Sequence, residues 1–227
     1  SDAHKIITVE EPVEYQLEGI NQIQVHQQIG LSFARALRSI LRQDPDIIMI
    51  GEMRDTETAQ IAVQSALTGH LVLSTLHTNT AAGAIIRLQD MGVEPYLITS
   101  SVNGVLSQRL VRRLCQHCKQ DYVPDPKVVK DAGMDRLGLK TPKLWRAVGC
   151  PHCRQTGYSG RTGIHELLVM DDTMRRGILD GLDSASLHTK ATAAGMHTLY
   201  EDGLRKVADG VTTLDELLRV TEDQSDA

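Results

Sequence analysis

DPDIIMIGEMRDTETAQIAVQSALTGHLVLSTLHTNTAAGAIIRL, residues 44–88, decides the fold. It holds two short apolar runs, Ile47–Ile50 and Leu71–Leu76, each bounded by turn residues. Between them Thr56 to Thr68 reads as a helix, with Ile61, Val63, Ala66 and Leu67 as its apolar content and Gly69 as its stop. Strand, helix, strand with runs this continuous predicts a parallel sheet covered on both faces. Ligands of such sheets gather at the carboxyl ends of the strands. Glu52, just past the first run, and His77, just past the second, are therefore predicted neighbours at one rim.

Upstream, KIITV (5–9) reads as a strand and leads into EEPVEY, where Pro12 ends regular pairing. Glu10, Glu11 and Glu14 at that strand end make either a solvated turn or a metal-and-water site. INQIQV (20–25) alternates apolar and polar, as a half-exposed strand does. A helix is expected from Ser32 to Gln43, burying Ala34, Leu37, Ile40 and Leu41. A strand so near the first residue is an abrupt start for a domain, and further residues are expected before Ser1.

Downstream, a helix is predicted from Thr80 to Met91, closed by Gly92. Pro95 suits the first turn of a third, near Tyr96 to Leu114, with Arg109, Arg112 and Arg113 as its solvated face. From Cys115 to about Gly160 the chain turns rich in Pro, Gly, Cys and Lys and loses periodicity. Helical patterns return at Asp172–Asp180, Ser184–Ala194, Leu199–Val207 and Asp215–Val220, and the polar residues 222–227 are expected to fray. The expected division is 1–111, an α/β core; 112–160, a metal-held module; and 161–227, a helical subdomain.

Aromatic residues make up 3% of the 227, too few for stacking on single-stranded nucleic acid. The net charge of −5 disfavours a nucleic-acid coat. No apolar segment approaches the roughly 20 residues that span a bilayer, and no signal-peptide pattern opens the chain. These features suit a cytosolic protein whose membrane attachment, if any, runs through a partner.

The four cysteines fall as Cys115/Cys118 and Cys150/Cys153. Two CxxC pairs complete the closed tetrahedral shell of a structural zinc site, with a loop or small hairpin filling the gap between them. A redox CxxC fits less well, since two pairs would need two active sites. Such an ion supplies folding energy to a module with almost no core of its own.

Glu52 ends an apolar run, where phosphate-transferring enzymes place an acidic residue that holds magnesium or polarises water. An ordinary turn carboxylate reads equally well, and Gly51 stands where many such enzymes have an acidic residue. His70 and His77 flank the next strand, and seven extended residues span about 23 Å. They therefore sit at opposite ends, with His77 at the Glu52 rim. A lone strand-end histidine is more often a satisfied structural one. No GxxxxGK[ST] loop occurs anywhere, so the sequence offers neither a backbone cradle nor a lysine for nucleotide phosphates.

Taken together, ITVEEPVEY, LRSILRQDPDIIMIGEMRD, TGHLVLSTLHTN, QRLVRRLCQHC and CPHCRQTGYSGRTGIHELL resemble, in that order, the segments of the secretion ATPases of type II secretion and type IV pilus assembly. They look like that family's acidic Asp box, with Glu11 where aspartate is commoner; its atypical Walker B; its histidine box; and its metal-binding segment. The general secretion protein E-like branch is favoured over the pilus-extension branch. The resemblance implies a RecA-like P-loop core, a homo-hexamer, and a cytosolic motor docked on inner-membrane platform proteins. It implies hydrolysis of ATP with Mg2+, beside structural Zn2+. Glu14 matches the glutamate that activates the attacking water, and Glu52 the Walker B glutamate. His70 and His77 match the two box histidines and, with Arg54, fall to sensing nucleotide phosphate. The family's Walker A loop precedes the first strand of this chain, so the chain alone is expected to be inactive. The alternative is a zinc-stabilised interaction module without catalysis.

Overall fold

Three apolar strands, IITVE, IIMI and LVLS, lie side by side because each is a short run between turn residues joined to the next by a crossover. The computed structural model describes residues 4–138 and 143–222, so the tail 223–227, expected to fray, lies outside the described residues. The chain divides into two compact units: 1–105 with 169–191, and 106–168 with 192–227.

The first unit carries a four-stranded sheet of order β2 (Asn21–Gln24), β1 (Ile6–Glu10), β3 (Ile47–Ile50), β4 (Leu71–Ser74). Every pairing in it is parallel. Val9 lies opposite Ile50, and Ile50 opposite Ser74, so the carboxyl ends of β1, β3 and β4 form one edge. Ile7, Val9, Ile48 and Ile50 are buried in one cluster with Leu37 and Ile40 of α1 (Phe33–Ile40). Burying such a side chain stabilises by about 1.5–3 kcal/mol.

Each helix of this sheet has its own start signal. The Ser32 hydroxyl accepts the Arg35 N–H at 3.3 Å for α1, and the Thr80 hydroxyl accepts the Gly83 N–H at 3.0 Å for α3 (Ala81–Asp90). Asp55 caps α2 (Thr56–Leu67) doubly, taking the Thr58 N–H at 2.8 Å and the Thr58 hydroxyl at 2.9 Å. These caps satisfy donors that the first turn leaves orphaned. The unit also holds α4 (Pro95–Ser101), α6 (Asp172–Leu179) and most of α7 (Ser184–Ala193).

The expected helix from Tyr96 to Leu114 is corrected: it stops at Ser101, and residues 104–114 form a strand, β5. Val111 is fully buried while Leu106 and Leu110 stay exposed, as alternation on a pleated strand requires. Arg109, Arg112 and Arg113 thus lie on a strand rather than on a helix face.

In the second unit β5 pairs with β8 (Tyr158–Val169), and β6 (Gln120–Tyr122) runs antiparallel to β7 (Leu144–Arg146). A short helix, α5 (Pro126–Asp131), lies between β6 and β7 in sequence. The segment between the cysteine pairs has a share in a core, contrary to expectation. Ala132, Met134 and Leu144 are buried in one cluster with Val111 and Ile164, and with residues of α8 (Leu199–Ala208) and α9 (Leu214–Glu222).

An ion cluster around one buried carboxylate ties this unit together. The Glu216 side chain is fully buried, and Arg112 reaches it with Nε at 3.0 Å, Nη2 at 2.7 Å and its backbone N–H at 3.1 Å. Arg219 adds Nε at 3.0 Å and Nη2 at 2.8 Å. Arg112 also stacks over the Tyr158 ring, 4.2 Å from its centroid.

Candidate functional site

Gly51 enters the loop after β3 with its N–H on the Val9 carbonyl at 2.7 Å. A Cβ there would lie 3.2 Å from the Val9 oxygen and 3.3 Å from the Glu10 Cα. That close approach of backbone explains a glycine where an acidic residue is common in P-loop enzymes. The Thr75 hydroxyl donates to the Gly51 carbonyl at 2.6 Å, and the Met53 N–H donates to the Thr75 carbonyl at 3.1 Å. The residues on both sides of Glu52 are thus pinned to neighbouring strands. The same two bonds draw the chain beyond β4 against the loop beyond β3.

Glu52 is 9% exposed. His77 Nε2 lies 3.0 Å from its Oε2, and Arg54 Nη2 lies 2.5 Å from its Oε1. An ionised carboxylate only accepts, so the shared hydrogen sits on His77 Nε2. Burial pushes the Glu52 carboxyl up, but hydrogen bonds and charge from Arg54 and His77 outweigh it and hold the group below its ordinary range. The result is a buried carboxylate, ionised and fixed, at the carboxyl edge of a parallel sheet. The neighbourhood of Glu52 and His77 predicted from sequence is what the structure shows.

Glu14 lies in the exposed loop that follows β1. Because β1 and β3 are parallel neighbours in register, that loop leaves the same sheet edge as Glu52. Glu10 turns inward instead, accepting the Thr8 hydroxyl at 2.6 Å and the Gln22 amide at 3.0 Å. His70 stands at the other end of β4, where its Nδ1 meets the Ser65 carbonyl of α2 at 2.9 Å. It closes that helix and does not join the Glu52 cluster.

In the second unit the four sulfurs of Cys115, Cys118, Cys150 and Cys153 all lie within 4.8 Å of one another. The pairs 115–150, 118–153 and 150–153 measure 3.9, 3.8 and 3.7 Å. Sulfurs about 2.3 Å from a tetrahedral zinc stand about 3.8 Å apart, so the set fits such an ion. No disulfide competes, since all four are free cysteines. The backbone prepares the site. Gly149 N–H points to Cys118 Sγ at 3.4 Å, and the N–H groups of Cys150 and Gly157 point to Cys153 Sγ, both at 3.2 Å. Burial works against the Cys153 thiolate, yet these donors and the neighbouring thiols bring its pKa down to about 6. Burial pushes Cys118 up to about 11. Gly149, at φ 108°, permits the turn, because a Cβ would meet the Gln155 carbonyl oxygen at 2.7 Å. His117 and His152 stack on each other at 4.2 Å and are not members of the sulfur cluster.

With both sites described, the chain can be set beside known proteins. The family described as "Type II/IV secretion system protein" matches residues 1–219. This chain belongs to that family.

Among its relatives, the type II secretion system protein HxcR of Pseudomonas aeruginosa is 61% identical over 218 residues, covering 96% of this chain and 42% of the relative. The type IV pilus assembly ATPase PilB of Thermus thermophilus is 55% identical over 214 residues, covering 94% of this chain and 24% of the relative. The solved structure of the pilus retraction motor PilT with bound ADP matches with a TM-score of 0.68 and 28% identity, covering 99% of this chain and 54% of that one. The chain thus spans less than half the length of the curated relatives named here. The α/β fold built on β1–β4 is that of RecA-like P-loop ATPases, and the tetracysteine cluster accompanies it. Among the described residues, no helix is long and apolar enough to cross a membrane.

Proposed function

We propose that this chain is the catalytic portion of a hexameric secretion motor that hydrolyses ATP to drive pseudopilus assembly and protein export in a type II secretion system. One observation carries the reading: Glu52 is buried, ionised and held from two sides at the carboxyl edge of the parallel sheet. The type II branch is taken over pilus extension on the overall likeness of the motifs, since the 55% identity to PilB falls within the range of the type II relatives. Within the expected spans, 1–111 is assigned the nucleotide chemistry and 112–160 the structural zinc, while 161–227, expected as a helical subdomain, begins in β8 and contributes 169–191 to the first unit. The motor works in the cytosol, docked on inner-membrane platform proteins.

ATP arrives with magnesium, which supplies neutralisation of phosphate charge when bound. Glu52 would hold that cation through its water and orient water beside it. A carboxylate kept below its ordinary range polarises better than it abstracts protons. Activation of the attacking water falls to Glu14, whose loop leaves the same edge. His77 fixes the Glu52 carboxylate and reports phosphate together with Arg54, and His70 is assigned a more distant part in the same sensing. Zinc on Cys115, Cys118, Cys150 and Cys153 is structural.

The sequence holds no GxxxxGK[ST] loop, so the chain by itself binds nucleotide weakly or not at all. The test is hydrolysis by the polypeptide that joins this chain to such a loop. Slow magnesium-dependent turnover that falls at least a hundredfold in both Glu14→Gln and Glu52→Gln, an effect of the size expected for general-base and electrostatic groups, supports the assignment. Undiminished turnover in either variant removes that residue from it.

A further inference from the structure

Both oxygens of Glu52 are already taken. His77 holds Oε2 and Arg54 holds Oε1, so one acceptor direction of each oxygen is committed while both partners stay, and the charge of the carboxylate is already answered on the Oε1 side. The two partners differ in what they gain by leaving. Both side chains reach solvent, Arg54 65% and His77 81% exposed, but Arg54 alone carries a permanent charge and a planar fork suited to phosphate oxygens. His77 contributes a single hydrogen to the carboxylate and has no fork to offer a phosphate.

Resting on the functional reading above, we propose that Arg54 is an exchangeable clamp. Before nucleotide arrives it neutralises Glu52. When phosphate enters the edge, the guanidinium leaves Oε1 for the phosphate oxygens, and Glu52 is freed on that side while His77 keeps its orientation. Arg54 is then a positioning residue whose two partners compete. Glu52, buried to 9% exposure, loses a charge partner in the exchange and must regain one from the cation that accompanies the nucleotide. The clamp thus ties exposure of the carboxylate to the joint arrival of phosphate and cation, and it keeps the site from polarising water when no substrate is present.

The competition has a consequence that a purely structural ion pair lacks. Removing the carboxylate charge frees Arg54 in advance, so Glu52→Gln binds nucleotide more tightly than the parent. The gain must vanish when Arg54 is also removed.

Equilibrium binding of a fluorescent ATP analogue tests this without turnover, in the polypeptide that joins this chain to a nucleotide loop. The variants are Glu52→Gln, Arg54→Ala, Arg54→Lys and the double Glu52→Gln/Arg54→Ala. The expected pattern is affinity up by about threefold to tenfold in Glu52→Gln, down about tenfold in Arg54→Ala, partly kept in Arg54→Lys, and no gain from Glu52→Gln on the Arg54→Ala background. Arg54→Ala also raises KM for ATP about tenfold with kcat changed by less than about threefold. Unchanged affinity in both single variants, with only a lowered Tm in Arg54→Ala, marks a structural pair and overturns the clamp. So does a loss of kcat at constant affinity, because Arg54 then stays on Glu52 through the reaction. Hydrolysis that survives Glu52→Gln sinks the functional reading itself, a failure distinct from these.

Discussion

His77 Nε2 stands 3.0 Å from the Glu52 carboxylate, joining two residues 25 positions apart in sequence. The contact follows from parallel pairing. β3 and β4 run in register, both end at one edge, and Thr75 stitches the chain beyond β4 to the Gly51 carbonyl. If His77 only fixes the orientation of the carboxylate, His77→Gln keeps a donor and retains most activity, while His77→Ala loses about tenfold in kcat with little change in KM. Steady-state kinetics on both variants separates this from phosphate contact by His77, which raises KM instead.

The tetracysteine set should bind one zinc per chain, as elemental analysis of the purified protein will show. Because Met134 and Leu144 are buried in the core of the second unit, metal removal should loosen the two knuckles without unfolding that unit. Hydrogen exchange before and after chelation checks it. Protection should fall around residues 115–119 and 149–157 and persist in α8 and β8. Loss of protection throughout the unit would show that the metal holds the core as well.

Glu216 is a strong point of the second unit. Burial raises its pKa, but Arg219 and Arg112 lower it further, to about 2. A depressed carboxyl stabilises the fold above its unfolded value of about 4.3 and stops doing so as pH falls through the folded value. Glu216→Gln should therefore cost about 2–3 kcal/mol at pH 7 in urea denaturation, somewhat less than a fully buried pair because both arginines are half-exposed. The difference between parent and variant should shrink from pH 4 toward pH 2. A constant difference over that range would mean the carboxylate charge is not what stabilises.

Gly203 of α8 sits against α9. A Cβ there would lie 2.1 Å from Leu217 Cδ1 and 3.1 Å from its Cγ, and Leu217 is fully buried. Gly203→Ala should thus destabilise by about 1–3 kcal/mol despite the better helix propensity of alanine. A thermal melt showing stabilisation would mean that Leu217 has room to turn aside.

Much of this was legible in the chain because it is local. The runs at Ile47–Ile50 and Leu71–Leu76, the second a strand only as far as Ser74, and the CxxC spacing state their structure within a few residues. VLSQRLVRRL misled because Leu106 and Leu110 are apolar yet exposed, 59% and 46%, which hides the alternation of a strand under a helix-like scatter. Asn103 and Gly104 carry the turn chemistry that separates the helix ending at Ser101 from the strand. The partnership of Arg112 with Glu216 spans 104 residues and leaves no trace in local pattern. Only the i, i+3 spacing of Glu216 and Arg219 offered half of it. The second engagement of Glu52, by Arg54 at i+2, was equally silent, since loop geometry alone decides whether such neighbours meet.

The most direct test of the central claim pairs two measurements on Glu52→Gln, made in the polypeptide that joins this chain to a nucleotide loop: equilibrium ATP binding and phosphate release. The account predicts that ATP still binds while phosphate release falls at least a hundredfold, the scale of a lost electrostatic group at a reacting phosphate. Phosphate release at the parent rate, with binding intact, would contradict it.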